Sequence, residues 1–257
     1  MLPAPLVAFS RGAVLESGHY GSIAVADASG RVLAEVGDPE RLTIMRSTAK
    51  PFQAMAVVET GAADQLAMTL EEIALVASSH SGQPIHTDAV RRLLDRAGLS
   101  ADELQCGVHP PLHAGTREDM DRRGEAPSAL HHNCSGKHCG MLCACAAQGW
   151  DRRTYVRPDH PLQRALLRLM ADVVGVPAEG IPVAVDGCGV PTFALPLRSV
   201  ALGFARLAAT KGLGDHEPSA RQVREAMLAH PDMVAGDGRL DTDLMQVGTG
   251  QIGRAHV

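Results

Sequence analysis

The chain is predicted to be α/β in class, a mixed α+β arrangement, from the order in which its patterns fall. Strand-like segments fill the first forty residues, helical spacing governs most of the remaining chain, and a short apolar run recurs near residue 181. Leu6 to Phe9 is apolar, and Ser22 to Ala26 and Arg31 to Val36 flank the turn-forming Asp27-Ala28-Ser29-Gly30, a hairpin pattern. A helix is expected after Ser47 with Ala54, Val57 and Val58 inward, and a second from Leu70 to Ala77. Thr87 is placed as the cap of a third, which carries Val90, Leu93, Leu94 and Ala97 at helical spacing. Gln105 to Ser128, rich in Pro, Gly, His and charge, reads as a long loop. Lys137 to Gln148 and Pro161 to Val174 read as helices, the latter with Leu162, Leu166, Leu169 and Val173 in register. Ile181 to Val185 reads as a buried strand entering Asp186-Gly187-Cys188-Gly189, and helices are expected beyond it over Leu197 to Ala209 and Ser219 to His230.

Composition narrows the partners. Among 257 residues 45% are hydrophobic and only 3% aromatic, so the core is built from Ala, Leu, Val and Met. A net charge of -5 without a basic run gives neither the charge nor the stacking surfaces that nucleic acid requires. The apolar runs fall short of the roughly 20 residues that cross a bilayer, and the N-terminus shows no signal-peptide pattern. The six cysteines, four of them between Cys134 and Cys145, suit thiols in a reducing compartment, so a cytoplasmic location is expected. One domain is expected over 1–250. The last seven residues, Gln251 to Val257, are what a common sequencing adapter encodes when translated, and 251–257 is read as a non-native tail.

Three constellations can carry chemistry. Ser47-Thr48-Ala49-Lys50 is an S-x-x-K motif, whose spacing brings a hydroxyl and an amine onto one helix face. A serine needs a neighbouring base to become a nucleophile, and lysine serves when burial or nearby positive charge lowers its affinity for the proton. The competing interpretation is a helix-capping Ser47 and a solvated Lys50; Pro51, tolerated only in a first turn, sets the helix start near Ser47 either way. Ser78-Ser79-His80-Ser81-Gly82 gathers hydroxyls and an imidazole, able to shuttle protons or merely to close a helix. Asn133-Cys134-Ser135-Gly136-Lys137-His138 and Asp186-Gly187-Cys188-Gly189-Val190-Pro191 offer thiols without zinc-finger spacing, while Cys143 and Cys145 read as packing residues. His109, His113, His131 and His132 fall in loop-like sequence and are read as surface residues.

Together with Arg46-Ser47-Thr48-Ala49-Lys50-Pro51-Phe52-Gln53, these segments resemble, in order and wording, the rhizobial-type asparaginase II family. The resemblance implies a fold related to glutaminases and serine β-lactamases, a homodimer, and hydrolysis of L-asparagine to L-aspartate and ammonia. It implies Ser47 as nucleophile, Lys50 as its base, Ser79 as a second catalytic hydroxyl, and a zinc ion on Cys134, Lys137 and Cys188. On charge, Asp186 is assigned the substrate's α-amino group and Arg46 or His80 its α-carboxylate. Family members continue with a segment carrying a further lysine paired with the second serine, so the domain over 1–250 is expected to be incomplete at its C-terminus, and such a chain could be inactive. Two alternatives stand beside this reading. One is another serine amidohydrolase, a glutaminase or a β-lactamase-like enzyme, although neither Ser-Asp-Asn nor Lys-Thr-Gly occurs. The other is a catalytically inactive fragment that binds zinc or an amino acid.

Overall fold

A computed structural model describes residues 3–248; the predicted tail at 251–257 lies outside them. The chain opens with two antiparallel hairpins. The first pairs β1 (Ala4–Arg11) with β2 (Val14–Gly21), the second β3 (Ile23–Ala26) with β4 (Val32–Val36). The second hairpin is the predicted one, its turn closed by the Asp27 carboxylate, which accepts from the Ser29 and Arg31 backbone N–H groups at 3.0 and 3.1 Å. After β5 (Leu42–Ile44) comes a 3-10 turn, Arg46–Ala49, that runs directly into α1 (Lys50–Glu59).

The helical body comes next: α2 (Ala62–Gln65), α3 (Leu70–Val76), α4 (Pro84–Arg96), α5 (Ala114–Arg123), α6 (Ser135–Gln148) and α7 (Pro161–Val174). Then β6 (Val183–Val185) and β7 (Pro191–Pro196) form a hairpin, and α8 (Leu197–Ala209), α9 (Glu217–Ala229), α10 (Pro231–Val234) and α11 (Leu240–Val247) complete the described chain. The mixed α/β class is therefore as predicted, with helices far outweighing the three small sheets found among the described residues.

Three expectations need correction. The strand read as buried over Ile181 to Val185 spans Val183–Val185 only, and Val183 and Val185 are exposed. The helix expected to be capped at Thr87 starts at Pro84, because Gln83 and His86 form a reciprocal capping pair and proline suits a first turn. The stretch read as one long loop contains α5, which buries Met120 alone and so has no apolar periodicity to reveal it; His113 caps its start by accepting from the Thr116 N–H at 3.1 Å.

The core lies between α1, α3, α6, α7 and α9. Every residue of α1 from Lys50 to Val57 is buried, which an amphipathic surface helix would not allow; α1 is the hub on which the others pack. α6 is buried from Ser135 to Cys145 and crosses α3 closely because it carries glycine at two positions one turn apart. A Cβ on Gly136 would stand 2.3 Å from the Leu75 carbonyl oxygen, and one on Gly140 would stand 2.5 Å from Val76 Cγ1. Cys143 and Cys145 are buried in this packing, as expected.

Candidate active site

The three-stranded sheet, in the order β5-β7-β6, brings two distant segments of sequence to one place. β5 runs antiparallel to β7, with Ile44 opposite Ala194, and the pairing continues as the Met45 N–H donates to the Phe193 carbonyl at 2.9 Å. The next residue, Arg46, is therefore level with Thr192, whose hydroxyl accepts its N–H at 3.0 Å. Thr192 in turn pairs with Ala184 on β6, two residues before the β6–β7 turn. That turn is Asp186-Gly187-Cys188-Gly189, closed by the Gly189 N–H on the Asp186 carbonyl, with Gly189 at a left-handed φ of 85° that favours glycine. Arg46 and Ser47 thus emerge beside Asp186 and Cys188 although about 140 residues separate them. Arg46 itself sits at φ 46°, a left-handed conformation that costs a non-glycine residue about 1–3 kcal/mol, and that bend turns the strand into the helix start.

Ser47 Oγ lies 3.3 Å from Ser79 Oγ, and both residues are nearly inaccessible to solvent. Ser79 comes from the turn after α3, held by its own N–H on the Val234 carbonyl of α10 at 3.0 Å. The serines of this turn do not bond the last carbonyls of α3 through their side chains; Ser81 Oγ donates instead to Gln83 Oε1. Lys50 is fully buried, which excludes a solvated lysine, and its Nζ donates to the Asn133 carbonyl at 3.2 Å. Asn133 Nδ2 donates to Ser79 Oγ at 3.1 Å. The S-x-x-K motif, the serine-rich turn and the asparagine before α6 therefore meet in one cluster.

Arg46 Nε donates to Asp186 Oδ1 at 3.3 Å, and the Gly187 N–H reaches the same oxygen at 2.8 Å. These residues line a cavity of about 330 Å³ together with Ser47, His109, His132, Asn133, Cys134 and Cys188. His109 and His132 were read as surface residues, and His109 is exposed as expected; both also line the cavity, their rings edge to face at 5.9 Å, and no local spacing in the sequence marks them.

His80 is placed differently from the other substrate-binding candidates. It is buried, its Nδ1 accepts from the Gly82 N–H at 3.1 Å, and its Nε2 lies 2.9 Å from Ser135 Oγ. Burial, helped by the neighbouring His86 and Lys50, pushes its pKa well below the usual histidine range, so it is neutral with the hydrogen on Nε2.

Cys134, Lys137 and Cys188 converge beside the cavity. Lys137 Nζ is 2.9 Å from Cys188 Sγ, and all three residues are buried. A hydrogen bond from the Cys188 thiol holds the Cys134 thiol well below its ordinary range against the opposing effect of burial, and correspondingly pushes Cys188 up. Burial works to lower Lys137, but the two sulfurs more than offset it and raise its pKa. Among the described residues no group of three or more His, Cys, Asp and Glu is arranged to hold a metal ion. Two sulfurs and an amine nonetheless make a donor set that fits zinc, provided that the amine gives up its proton.

Two hydroxyls in contact, a buried amine in the same cluster and a carboxylate–guanidinium pair on the cavity wall equip a mixed α/β chain for hydrolytic chemistry on a small polar molecule. A family model described as L-asparaginase II matches residues 7–254, and the chain belongs to that family. Membership makes it an amidohydrolase of the asparaginase type with a small-molecule substrate. The matched span takes in every predicted site residue. No curated protein matches the chain. No helix among the described residues is long and apolar enough to cross a membrane.

Proposed function

We propose that the chain hydrolyses L-asparagine to L-aspartate and ammonia, with Ser47 as the nucleophile. The observation that carries this reading is the cluster of Ser47, Ser79 and buried Lys50 opening onto the cavity that Arg46 and Asp186 line. The bound amino acid would set its α-ammonium on Asp186 and its α-carboxylate on Arg46, a charged pair whose two signs match a zwitterion. The saturated ring nitrogens of His80 favour Arg46 over it for the carboxylate and give His80 a part in shaping the serine turn.

With the substrate so held, Ser47 Oγ attacks the side-chain amide carbon. Its proton passes to Lys50, which must be neutral to accept it, and from there to the departing nitrogen, which leaves as ammonia. Water then cleaves the aspartyl ester, the proton returns to Ser47, and aspartate is released. Ser79, in contact with Ser47, is the second hydroxyl of this exchange.

Cys134, Lys137 and Cys188 would hold zinc, and the ion, when bound, would supply a fixed positive charge that orders the cavity wall. The active protein is further proposed to be a cytoplasmic homodimer. A glutaminase or β-lactamase-like specificity is separated by a substrate panel: ammonia release from L-asparagine and L-glutamine beside hydrolysis of nitrocefin. Preferential release from L-asparagine is expected; rapid nitrocefin hydrolysis without ammonia release from asparagine would overturn the assignment.

A further inference from the structure

We propose that Asn133 is a positioning residue that fixes the direction of the hydrogen bond between the two serines, so that Ser47 and not Ser79 is the hydroxyl poised to attack. The inference rests on the reading of these serines as the reacting pair. Two hydroxyls 3.3 Å apart can share their hydrogen bond either way, since each can donate or accept. An amide nitrogen can only donate. Asn133 Nδ2, 3.1 Å from Ser79 Oγ, places its hydrogen on that oxygen and occupies one of its two lone pairs, which favours the arrangement in which the single hydrogen of Ser79 is passed on to Ser47 Oγ. Ser47 becomes the acceptor of the pair, and its own hydrogen is directed away from Ser79. A donor already in place on Ser47 Oγ also stabilises the negative charge that develops there when the proton leaves.

The same residue orders the amine. The backbone carbonyl of Asn133 takes a hydrogen from Lys50 Nζ at 3.2 Å, so one N–H of the amine is spent and the rotation of the group is restricted. Side chain and main chain of Asn133 thus act on Ser79 and on Lys50, the proposed base, and Asn133 also lines the cavity. Ser79 and Lys50 are shielded from bulk solvent, so water does not scramble the order of hydrogen bonds.

The test is the site of modification by a fluorophosphonate, which bonds phosphorus to a serine oxygen, expels fluoride and leaves the serine proton to a base. The whole chain is labelled as wild type, Asn133→Asp and Asn133→Ala, and the modified serine is mapped by peptide mass spectrometry. Wild type is expected to carry the label on Ser47. In Asn133→Asp the carboxylate can only accept, the hydrogen of Ser79 turns toward it, and the ratio of Ser79 to Ser47 labelling rises by about two- to tenfold, the factor carried by one hydrogen bond of ordinary strength. Asn133→Ala shows a weaker Ser47 preference, and should either variant fail to fold, the other carries the comparison. A label confined to Ser47 in the folded variants, or absent from Ser47 in wild type, overturns the proposal. Ammonia release from L-asparagine is assayed in parallel. Its absence with the labelling shift intact removes the substrate reading and leaves the role of Asn133 standing; its presence with no shift does the reverse.

Discussion

At the scale of single residues, the proposed function assigns to Arg46 and Asp186 the discrimination between a zwitterionic amino acid and a neutral amide. Asp186 is held in place by both the Arg46 guanidinium and the Gly187 N–H, so an asparagine there keeps the shape of the turn while losing the charge. Asp186→Asn is expected to raise KM for L-asparagine by about tenfold or more while kcat changes much less, as befits a group that binds ground and transition states alike. Steady-state kinetics decides it, and an unchanged KM removes the assignment. The sequence pointed to Ser47, Lys50, Ser79 and Asp186 through their motifs. It did not single out Thr192, which ties the Arg46 backbone to β7, because that role depends on a strand pairing across about 146 residues. Nor did it give Asn133 a part of its own, since an asparagine in a loop has no pattern that distinguishes a half-buried donor from a turn residue.

At the scale of elements, the site depends on how closely α6 approaches α3. Gly136 and Gly140 permit that approach, and it brings the start of α6, with Cys134 and Lys137, up to the serine turn after α3. Gly136→Ala places a methyl 2.3 Å from a backbone oxygen that cannot swing aside. Overpacking of this kind costs about 1–3 kcal/mol, which in a chain of this size lowers Tm by roughly 2–12 °C. Thermal unfolding measures it; a Tm equal to that of wild type would show that α6 is not held this tightly. Helices with a clear apolar stripe were legible, and Pro161–Val174 and Leu197–Ala209 fall where the spacing placed them. α5 was not legible, because a helix that buries one methionine has only its caps to announce it. β7 was not picked out either, since Pro191–Pro196 has a proline at each end, a residue that argues against a central strand.

At the scale of the whole molecule, α1, α7 and the start of α9 are joined at one histidine. His216 Nδ1 lies 2.9 Å from Glu59 Oε1, and its Nε2 lies 3.3 Å from Asp172 Oδ2. Partial burial works to lower its pKa, but the two carboxylates prevail and raise it above the usual 6.5. A raised folded-state pKa stabilises the fold fully below the unfolded value of about 6.5 and loses that contribution as pH climbs through the folded value. Solvent screening keeps the gain near about 0.5 kcal/mol. His216→Gln is therefore expected to lower Tm at pH 5.5 and to match wild type more closely at pH 8.5, read by unfolding at both values; a Tm deficit that does not shrink with rising pH contradicts it.

The central claim is that this member of the L-asparaginase II family uses Ser47 to open the side-chain amide of asparagine. The most direct test is ammonia release from L-asparagine by the chain and by its Ser47→Ala variant, with both proteins shown to be folded. Steady release by the chain is predicted, with release at the level of the buffer blank by the variant. Release that persists in Ser47→Ala would contradict the nucleophile, and no release from the folded chain would contradict the reaction itself.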